Sequence, residues 1–513
     1  NSGPSRGGPE PRIVSTMSDT ITELTVAQTH DRFEQGTLTC EELVAGYVER
    51  IAAYDDAGPE LGAVITVNDG AVERASKLDA AFADDGPVGP LHGVPVLVKD
   101  QVQTADTVTT YGSEAFTEFV PETDAEIITR LREAGAVILG KTNMPDWGSG
   151  FVGYSSAAGQ TKNPYALDRD SGGSSAGTGA GIAANLGLLG IGSDTGGSVR
   201  VPSSCCNLYG MRVTTGVISR DGISAMIARQ DTAGPMARTL DDMVRLLDTI
   251  AGYDPADDAT AVTIHNRDDG PYLDCLDPDG LADARIGVLR AAIGSDDNPA
   301  AAPVTALVED AIDRMASAGA DIVDPVEIEN LAAHIDSTSL YAYQAKHDIT
   351  SYLGDLPGAP VESVDELFET DQFHEALELF YKITDGPDHP GDDPDYWERV
   401  AAQESFRRAI ERTHAQHDLD AILFPDVQVP PPKYERYYSG DVTRDEYKTN
   451  TFIASQSGCP AVSMPAGFTD GGLPAGLELM SVPHSEARLV ELAAGYDHVT
   501  DARRPPDTAP PLE

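Results

Sequence analysis

Two glycine- and serine-rich clusters, joined by small apolar residues, constrain the fold of this chain more than any other feature. They lie in residues 171–202, which read SGGSSAGTGAGIAANLGLLGIGSDTGGSVRVP. The small side chains of Ala and Gly let neighbouring elements pack closely against a helix, so the composition of residues 174–188 predicts a closely packed, buried helix. A short strand is predicted after it at residues 189–192. Glycine also lets backbone N–H groups approach a ligand, so the clusters are either part of an active site or ordinary turns.

Hydrophobic runs along the rest of the chain alternate between helix-like and strand-like patterns, which is typical of an α/β fold. The predicted helices are 22–35, 41–53, 71–82, 124–134, 240–251, 304–318, 365–383, 397–417 and 485–496. The other predicted strands are 63–67, 94–100, 136–139, 285–289, 320–323, 420–425 and 461–465. Thr39 is the expected N-cap of the second helix. Polar or Pro- and Gly-rich composition predicts loops at 163–171 and 386–395.

The 513 residues contain no linker of distinct composition, so we expect one domain at 17–500. Residues 1–16 lack the apolar core of a secretory signal, and we interpret them as a disordered leader or an artefact of expression. The proline-rich residues 501–513 are expected to form a flexible tail. The sequence has no uninterrupted apolar run of about 18 residues and therefore predicts no membrane span.

The cysteines are an odd number, scattered without the paired spacing of a metal site. They are Cys40, Cys205, Cys206, Cys275 and Cys459. Neighbouring cysteines at 205 and 206 invite a redox or metal interpretation, but free cysteine is more often a small buried hydrophobe. We therefore expect a reducing cytoplasm and no metal site.

The chain is strongly acidic. Its 84 Asp and Glu residues, against 35 Lys and Arg residues, give a formal net charge of −49 at pH 7. The acidic residues are spread along the whole chain, and only 8 of the basic residues are lysines. This composition excludes a generic nucleic-acid binder and is typical of a halophilic cytoplasmic protein. The dense carboxylate surface of such a protein keeps it soluble at high salt, where the Debye length is about 3 Å. An acidic surface that recruits basic partners is the alternative.

Two short motifs match patterns from other enzyme classes. Residues 135–142, GAVILGKT, satisfy the phosphate-loop pattern, but their central residues form an apolar strand rather than a loop, so we reject a nucleotide site. Residues 173–177, GSSAG, satisfy the nucleophile-elbow pattern, which would make Ser175 the nucleophile of a Ser-His-Asp α/β-hydrolase with a downstream histidine such as His484. A polar segment precedes this motif where an elbow needs a hydrophobic strand. The elbow is therefore the weaker of two hypotheses for a serine nucleophile.

A serine nucleophile needs a base, and the sequence offers Lys99. This lysine follows the apolar residues Val96, Leu97 and Val98. A lysine works as a base near neutral pH only when burial or positive charge lowers its pKa from about 10.4. The competing interpretation is a surface lysine or an ion pair with Asp100.

Several ungapped motifs, in one order along the chain, are more specific than any motif alone. They are GPLHGVPVLVKD at 89–100, GKTNMP at 140–145, GQTKNP at 159–164, GGSSAG at 172–177 and GSDTGGSVR at 192–200. Together they resemble the amidase signature family of serine hydrolases, over about residues 22–494. The resemblance implies an α/β fold with a single α/β/α domain, in which helices cover both faces of a mixed central sheet.

The resemblance also implies a catalytic triad. Ser198 would be the nucleophile, Ser174 a bridging serine after a cis peptide bond, and Lys99 the base. The implied reaction is hydrolysis of a carboxamide to a carboxylate and ammonia or an amine, through an acyl-enzyme on Ser198. Backbone N–H groups of residues 195–198, namely Thr195, Gly196, Gly197 and Ser198, would hold the oxyanion.

Three further residues are expected to support the site. Asp194 and Arg200 flank the 195–198 loop with opposite charges and are expected to brace it. Ser175 is expected to add a hydrogen bond behind the reacting groups. The resemblance implies no metal and no cofactor. The expected partner is a small-molecule amide, without direct nucleic-acid or membrane contact, and a homo-oligomer is compatible with the sequence.

The sequence departs from the family pattern after the nucleophile. Residues 210–217 read GMRVTTGV where the family has G-L-K-P-T-x-G-R, so we expect altered loop geometry outside the triad. Residues 230–238, QDTAGPMAR, look more like broad-specificity and peptide-amide amidases than like the glutamine-hydrolysing component of a tRNA-dependent amidotransferase. That amidotransferase component and a noncatalytic scaffold are the alternatives. The acyl pocket is expected within residues 293–438, where no motif identifies its residues.

Overall fold

A mixed β-sheet runs through the centre of the protein. The computed structural model describes residues 21–266, 270–294, 298–374, 376–439 and 447–512, so the leader predicted at 1–16 lies outside the described residues. The strands in these ranges are β1 (Val64–Val67), β2 (Pro95–Lys99), β3 (Val137–Thr142), β4 (Tyr154–Ser155), β5 (Gly159–Gln160), β6 (Lys162–Asn163), β7 (Ala166–Asp170), β8 (Leu189–Asp194), β9 (Tyr209–Arg212), β10 (Thr232–Ala237), β11 (Arg285–Val288), β12 (Asp321–Val323), β13 (Ala421–Pro425), β14 (Ala461–Phe468) and β15 (Pro474–Met480).

Eleven of the described strands form the central sheet, in the order β1-β3-β2-β8-β10-β9-β14-β15-β13-β11-β12. Strands β3, β2 and β8 are parallel neighbours, whereas β10, β9, β14 and β15 continue the sheet in antiparallel pairs. Parallel neighbours present their carboxyl ends at the same edge of a sheet. The register pairs Val98 of β2 with Ile191 of β8, so Lys99 ends its strand beside the last residues of β8.

Helices cover the sheet on both faces, as the α/β/α prediction requires. In the described ranges they are α1 (Val26–Glu34), α2 (Cys40–Tyr54), α3 (Ala71–Asp85), α4 (Glu126–Glu133), α5 (Ala176–Ala183), α6 (Arg200–Cys205), α7 (Leu240–Ile250), α8 (Ala302–Ser317), α9 (Leu331–Ser337), α10 (Tyr341–Asp355), α11 (Val364–Glu369), α12 (Glu378–Thr384), α13 (Tyr396–His417), α14 (Tyr434–Tyr438), α15 (Phe452–Ser457) and α16 (Glu486–Val499). Thr39 caps α2 in a capping box with Glu42, which confirms the predicted N-cap. No helix of the described ranges is long and apolar enough to cross a membrane.

Every strand predicted from an apolar run lies in the central sheet, but β9, β10 and β15 were not predicted. Apart from Thr232, the sequences of these strands (YGMR, TAGPMA and PAGLELM) contain no β-branched residue, and several of their residues are Gly, Ala or Pro. Such residues have low β-propensity, so these strands depend on their neighbours in the sheet rather than on their own sequence.

Two predicted elements are wrong. The helix predicted at 365–383 is broken into α11 and α12, and Asp371 between them has a left-handed backbone with φ of 56°. The loop predicted at 163–171 contains β7, which pairs with β6. Asn163 closes this hairpin, because its side chain donates to the carbonyl of Asp170 and accepts from the backbone N–H of Tyr165.

A second group of buried apolar side chains forms beneath α10, α11 and α12, apart from the large core around the sheet. Tyr111, Trp147, Ile349 and Phe380 belong to it, and the Tyr111 and Trp147 rings stack with centroids 4.7 Å apart. Helix α10 begins at Tyr341, whose hydroxyl lies next to Gly196 in the loop after β8.

The C-terminal residues bond to the body of the protein. The Arg50 guanidinium donates to the carbonyls of Ala509 and Pro510, and the Thr508 hydroxyl donates to the carbonyl of Pro164. The division into a leader, one domain at 17–500 and a flexible tail at 501–513 stays a prediction.

Candidate active site

Lys99 lies at the centre of the polar site. It is the last residue of β2, after three fully buried apolar residues, and its own side chain is fully buried. Its Nζ donates to Ser174 Oγ at 2.6 Å and to Ser193 Oγ at 2.8 Å. Ser193 lies on β8, the parallel neighbour of β2, so the sheet itself places these two groups together.

Burial lowers the pKa of Lys99 to about 7, because the ammonium form loses its hydration; the nearby carboxylates of Asp194 and Asp231 oppose this shift. At neutral pH, Lys99 is therefore divided between its neutral and charged forms. A neutral lysine in contact with a serine hydroxyl can accept a proton from it.

Ser174 is positioned by the turn before α5. The peptide bond between Gly173 and Ser174 is cis, as the family resemblance implies. α5 is buried along its whole length. A Cβ atom on Gly177 would overlap the carbonyl oxygen of Ala63 and the backbone nitrogen of Asn143, so only glycine allows the helix to lie this close to the sheet.

The two glycine-serine clusters are joined by a backbone hydrogen bond. The N–H of Ser175 donates to the carbonyl of Ser198 at 3.2 Å. The N–H of Ser193 approaches Ser175 Oγ at 3.3 Å, which places Ser175 behind the groups that contact Lys99. The structure thus brings Lys99, Ser174, Ser175 and Ser198 into one site, although the chain separates Lys99 from Ser198 by nearly a hundred residues.

Carbonyl groups of the loop before Ser198 are bonded to distant parts of the chain. Gln230 Nε2 donates to the carbonyl of Thr195 at 2.5 Å, and Thr451 Oγ1 donates to the carbonyl of Gly196 at 2.7 Å. These bonds fix the direction of the peptide groups in the loop.

The N–H groups of residues 195–198 donate to no acceptor within the described part of the chain. Gly197 has φ of 135°, a conformation open to glycine, and a Cβ atom there would overlap the side chain of Thr451. Unpaired N–H groups beside a serine hydroxyl are suited to stabilising an oxyanion.

Asp194 is bonded to two arginines below the loop. Arg200 donates to both of its carboxylate oxygens, at 3.1 and 3.0 Å, and Arg212 donates at 2.9 Å. Arg200 also donates to Glu478 at 2.6 Å, and these ion pairs are fully buried. Burial by itself would raise the pKa of Asp194, but Arg200 and Arg212 hold it well below its usual range. Asp194 therefore stays ionised and accepts from the N–H of Val199 at 3.2 Å.

A cavity of about 500 Å³ opens beside Ser198, and we call it the aromatic cavity. Its aromatic lining residues are Phe151, Tyr341, Tyr437, Tyr447 and Phe452. Glu378 and Lys382 of α12 also line it. The arrangement suits an apolar group next to the serine hydroxyl, with charged residues farther along the wall.

Several residues of the site were not identified from the sequence. They are Ser193, Arg212, Gln230, Asp231, Thr451 and Glu478. Ser193 belongs to the GSDTGGS motif, but its contact with Lys99 depends on the pairing of β2 with β8. Thr451 and Glu478 lie far along the chain, and nothing local in their sequence indicates a role here.

The rejected motifs have structural roles. Residues 140–142 of the phosphate-loop pattern lie within β3, and Lys141 donates to the carbonyl of Val102 at 2.6 Å and to Thr109 at 2.7 Å, which confirms the rejection. Cys205 and Cys206 are buried, and burial raises the pKa of the Cys205 thiol to about 12, so it is inert as a nucleophile.

The elbow hypothesis receives little support from the geometry. Ser175 is fully buried, and its Oγ contacts the backbone of Ser193. His484 packs against His265, with ring centroids 4.7 Å apart, and its backbone N–H donates to Thr214 Oγ1. The Ser175 hydroxyl is therefore engaged with the backbone of β8.

Comparison with known proteins shows the family and the fold of the chain. The family model described as Amidase matches residues 42–490. A probable amidase of Arabidopsis thaliana is 31% identical over 96% of this chain and 93% of its own length. A glutamyl-tRNA(Gln) amidotransferase subunit of Symbiobacterium thermophilum is 33% identical over 93% of this chain and 97% of its own length.

Solved structures show the same fold. The native peptide amidase of Stenotrophomonas maltophilia superimposes with a TM-score of 0.85 and 36% identity, over 94% of this chain and 98% of the other. An amidase family protein of Bacillus anthracis gives a TM-score of 0.81 at 28% identity, over 96% of this chain and 93% of the other. The chain belongs to the amidase signature family and is an amidase, a hydrolase that acts on amides.

Proposed function

We propose that the protein hydrolyses a carboxamide through an acyl-enzyme on Ser198, with Ser174 and Lys99 as the proton relay. The observation that carries the proposal is the 2.6 Å hydrogen bond between Lys99 Nζ and Ser174 Oγ in a fully buried setting. A buried lysine with a pKa near 7 is a base that operates at neutral pH, and a serine-lysine pair needs no histidine.

In acylation, Ser198 Oγ attacks the amide carbon and releases its proton to Ser174, which passes a proton to neutral Lys99. The proton returns through Ser174 to the leaving nitrogen as the C–N bond breaks. Water then attacks the ester by the same route, releasing the carboxylate product and restoring Ser198. Lys99 takes up a proton when the tetrahedral intermediate forms and gives it back when the intermediate collapses, so the protons balance in each half of the reaction.

The unpaired N–H groups of residues 195–198 would stabilise the oxyanion in both halves of the reaction. Loss of one such donor typically reduces the rate by about 100-fold or more. Asp194 and Arg200 would brace this loop from below, and the backbone N–H of Ser175 would hold Ser198 through its bond to the Ser198 carbonyl.

The aromatic cavity and the likeness to a peptide amidase support a substrate whose acyl part is apolar and larger than acetamide. The composition supports a salt-adapted cytoplasmic enzyme, because its net charge of −49 needs screening. The alternative, a glutamine-hydrolysing component of an amidotransferase, is supported by the 33% identity to the Symbiobacterium thermophilum protein. Activity restricted to glutamine and a stable co-purifying partner would favour it.

A panel of amides, assayed in molar salt, tests the mechanism with the variants Ser198→Ala, Ser174→Ala and Lys99→Ala. We expect Ser198→Ala to lose at least about 10³-fold in kcat, and to lose labelling by a serine-directed fluorophosphonate. Ser175→Ala is the matched control, and it should keep the label. Full activity in Ser198→Ala would overturn the mechanism, and loss of label in Ser175→Ala alone would revive the elbow.

A further inference from the structure

A second cavity, of about 330 Å³, shares one residue of its wall with the aromatic cavity. Thr195 lines both of them. Ser198, the candidate nucleophile, lines the aromatic cavity, and Ser193, which contacts Lys99, lines the second cavity together with Gln101.

A short polar chain connects the second cavity to the base. Lys99 Nζ lies 2.8 Å from Ser193 Oγ, and Ser193 Oγ donates to Gln101 Oε1 at 3.0 Å. In an amide hydrolysis of the proposed kind, the leaving nitrogen collects its proton from the Lys99 and Ser174 pair. The nitrogen is therefore released on the side of Ser198 where Lys99 lies, and Ser193 connects Lys99 to the second cavity.

The charge of the second cavity suits a cation or a small amine. Its lining contains four carboxylates, Asp221, Asp231, Asp257 and Asp258, and one arginine, Arg220, which pairs with Asp257. The carboxylate product would be repelled by such a surface, and an ammonium ion would be attracted.

Thr195 closes the wall between the two cavities. Its Oγ1 donates to Asp231 Oδ1 at 2.5 Å, which holds the side chain toward the second cavity. Because Thr195 lines both cavities, we infer that ammonia or hydroxylamine passes between them where its side chain lies.

We propose that the second cavity is the amine side of the active site, taking ammonia, ammonium and small primary amines while the acyl group occupies the aromatic cavity. This inference rests on the proposed acyl-enzyme. When Ser198 is acylated, its Oγ–C bond forms, the C–N bond breaks, and the nitrogen leaves with the proton taken from Ser198. In the reverse sense, an amine entering from the second cavity attacks the ester carbon, the C–O bond to Ser198 breaks, and one amine proton returns through Lys99 and Ser174 to Ser198 Oγ.

Hydroxylamine is a suitable probe, because it converts the acyl-enzyme to a hydroxamate in competition with water. Two variants obstruct the cavity: Ala256→Trp at its exposed mouth and Ala225→Phe farther in. Ala52→Trp, on an exposed position of α2, is the matched control for a surface tryptophan. The substrate is the best carboxamide of the panel, and the readout is the ratio of hydroxamate to carboxylate at fixed hydroxylamine concentration.

We expect the hydroxamate-to-carboxylate ratio to fall by about tenfold in both obstructed variants, with hydrolysis in the absence of hydroxylamine little changed and Ala52→Trp equal to wild type. An unchanged ratio in Ala256→Trp and Ala225→Phe would overturn the assignment of the cavity. Formation of no hydroxamate by the wild type, together with full activity of Ser198→Ala, would instead overturn the acyl-enzyme itself.

Discussion

At the scale of single residues, the proposed mechanism makes the environment of Lys99 set the pH range in which the enzyme works. Burial lowers its pKa from 10.5 to about 7, so the neutral, proton-accepting form predominates above that pH and is lost below it. We expect kcat/KM to rise with pH, tenfold per unit well below pH 7, and to level off above it. Steady-state kinetics between pH 5 and 9, at constant molar salt, measure this profile.

Lys99→Arg is the control for that profile, because arginine is charged throughout the range and cannot accept the proton. We expect its kcat/KM to fall by about 10² to 10⁴-fold and to show no inflection near pH 7. A wild-type profile that is flat from pH 5 to 9 would contradict the role of Lys99 as the base.

The buried charges at Asp194 give a second prediction at this scale. Asp194→Asn leaves the guanidinium groups of Arg200 and Arg212 without their shared carboxylate in a fully buried site. We expect the free energy of unfolding to fall by about 3–5 kcal/mol, as when one partner of a buried ion pair is removed. Denaturant unfolding in molar salt measures it.

Asp321→Asn is the matched control for that substitution, because Asp321 pairs with Arg285 at a position where its side chain is 61% exposed. An exposed pair contributes at most about 1 kcal/mol, and molar salt reduces this further. Equal destabilisation by the two substitutions would contradict the bracing role of Asp194.

Some residues of the site carry a signal in their neighbouring residues, and others are placed there only by contacts between distant segments. The apolar strand before Lys99 and the glycines around Ser198 made both residues candidates, and the family resemblance then assigned their roles. Ser193 could not be predicted, since its contact with Lys99 depends on the pairing of β2 with β8. Asp231 and Thr451 bond to the 195–198 loop from other parts of the chain, and a hydrogen bond between distant segments leaves no periodic signal.

At the scale of elements, the closeness of α5 to the sheet sets the position of Ser174. In Gly177→Ala, the new methyl group would overlap backbone atoms of Ala63 and Asn143, which cannot move aside as a flexible side chain can. We expect α5 to shift, with a loss of about 1–3 kcal/mol in the free energy of unfolding and a larger relative loss of kcat/KM.

Gly354→Ala is the matched control, because Gly354 also lies in a helix, α10, and the nearest atom to a new Cβ is 4.0 Å away. Alanine has the higher helix propensity, so this variant should be as stable as wild type or more so. Thermal unfolding and kinetics of the two variants separate a packing effect from the general effect of replacing glycine.

Helices and strands could be predicted where their own residues form an apolar run or include a capping residue. Apolar runs identified β2, β3 and β13, and capping residues identified the start of α2. The periodicity across 365–383 continues through Asp371, so the break between α11 and α12 depends on backbone conformation that hydrophobic pattern does not report. The alternation of helix-like and strand-like runs predicted the α/β class. The mixed sheet was implied by the family resemblance alone, because strand order depends on long-range pairing.

At the scale of the whole molecule, the net charge is the feature that we expect to control how stability depends on salt concentration. A charge of −49 spread over the surface destabilises the compact state by self-repulsion unless salt screens it. We expect dilution from molar salt into dilute buffer to unfold the protein, as measured by circular dichroism and by loss of amidase activity. Full stability and activity in dilute buffer would contradict salt adaptation.

The bond between Arg200 and Glu478 joins the middle of the chain to its last strand pair. During synthesis, the Lys99, Ser174 and Ser198 segments emerge long before β15, and until then Arg200 lacks one of its two carboxylate partners. A nascent chain therefore holds all the residues proposed for the chemistry while the ion pairs beneath their loop are still incomplete. The ion-pair network beneath the loop can therefore be completed only after β15 has been synthesised.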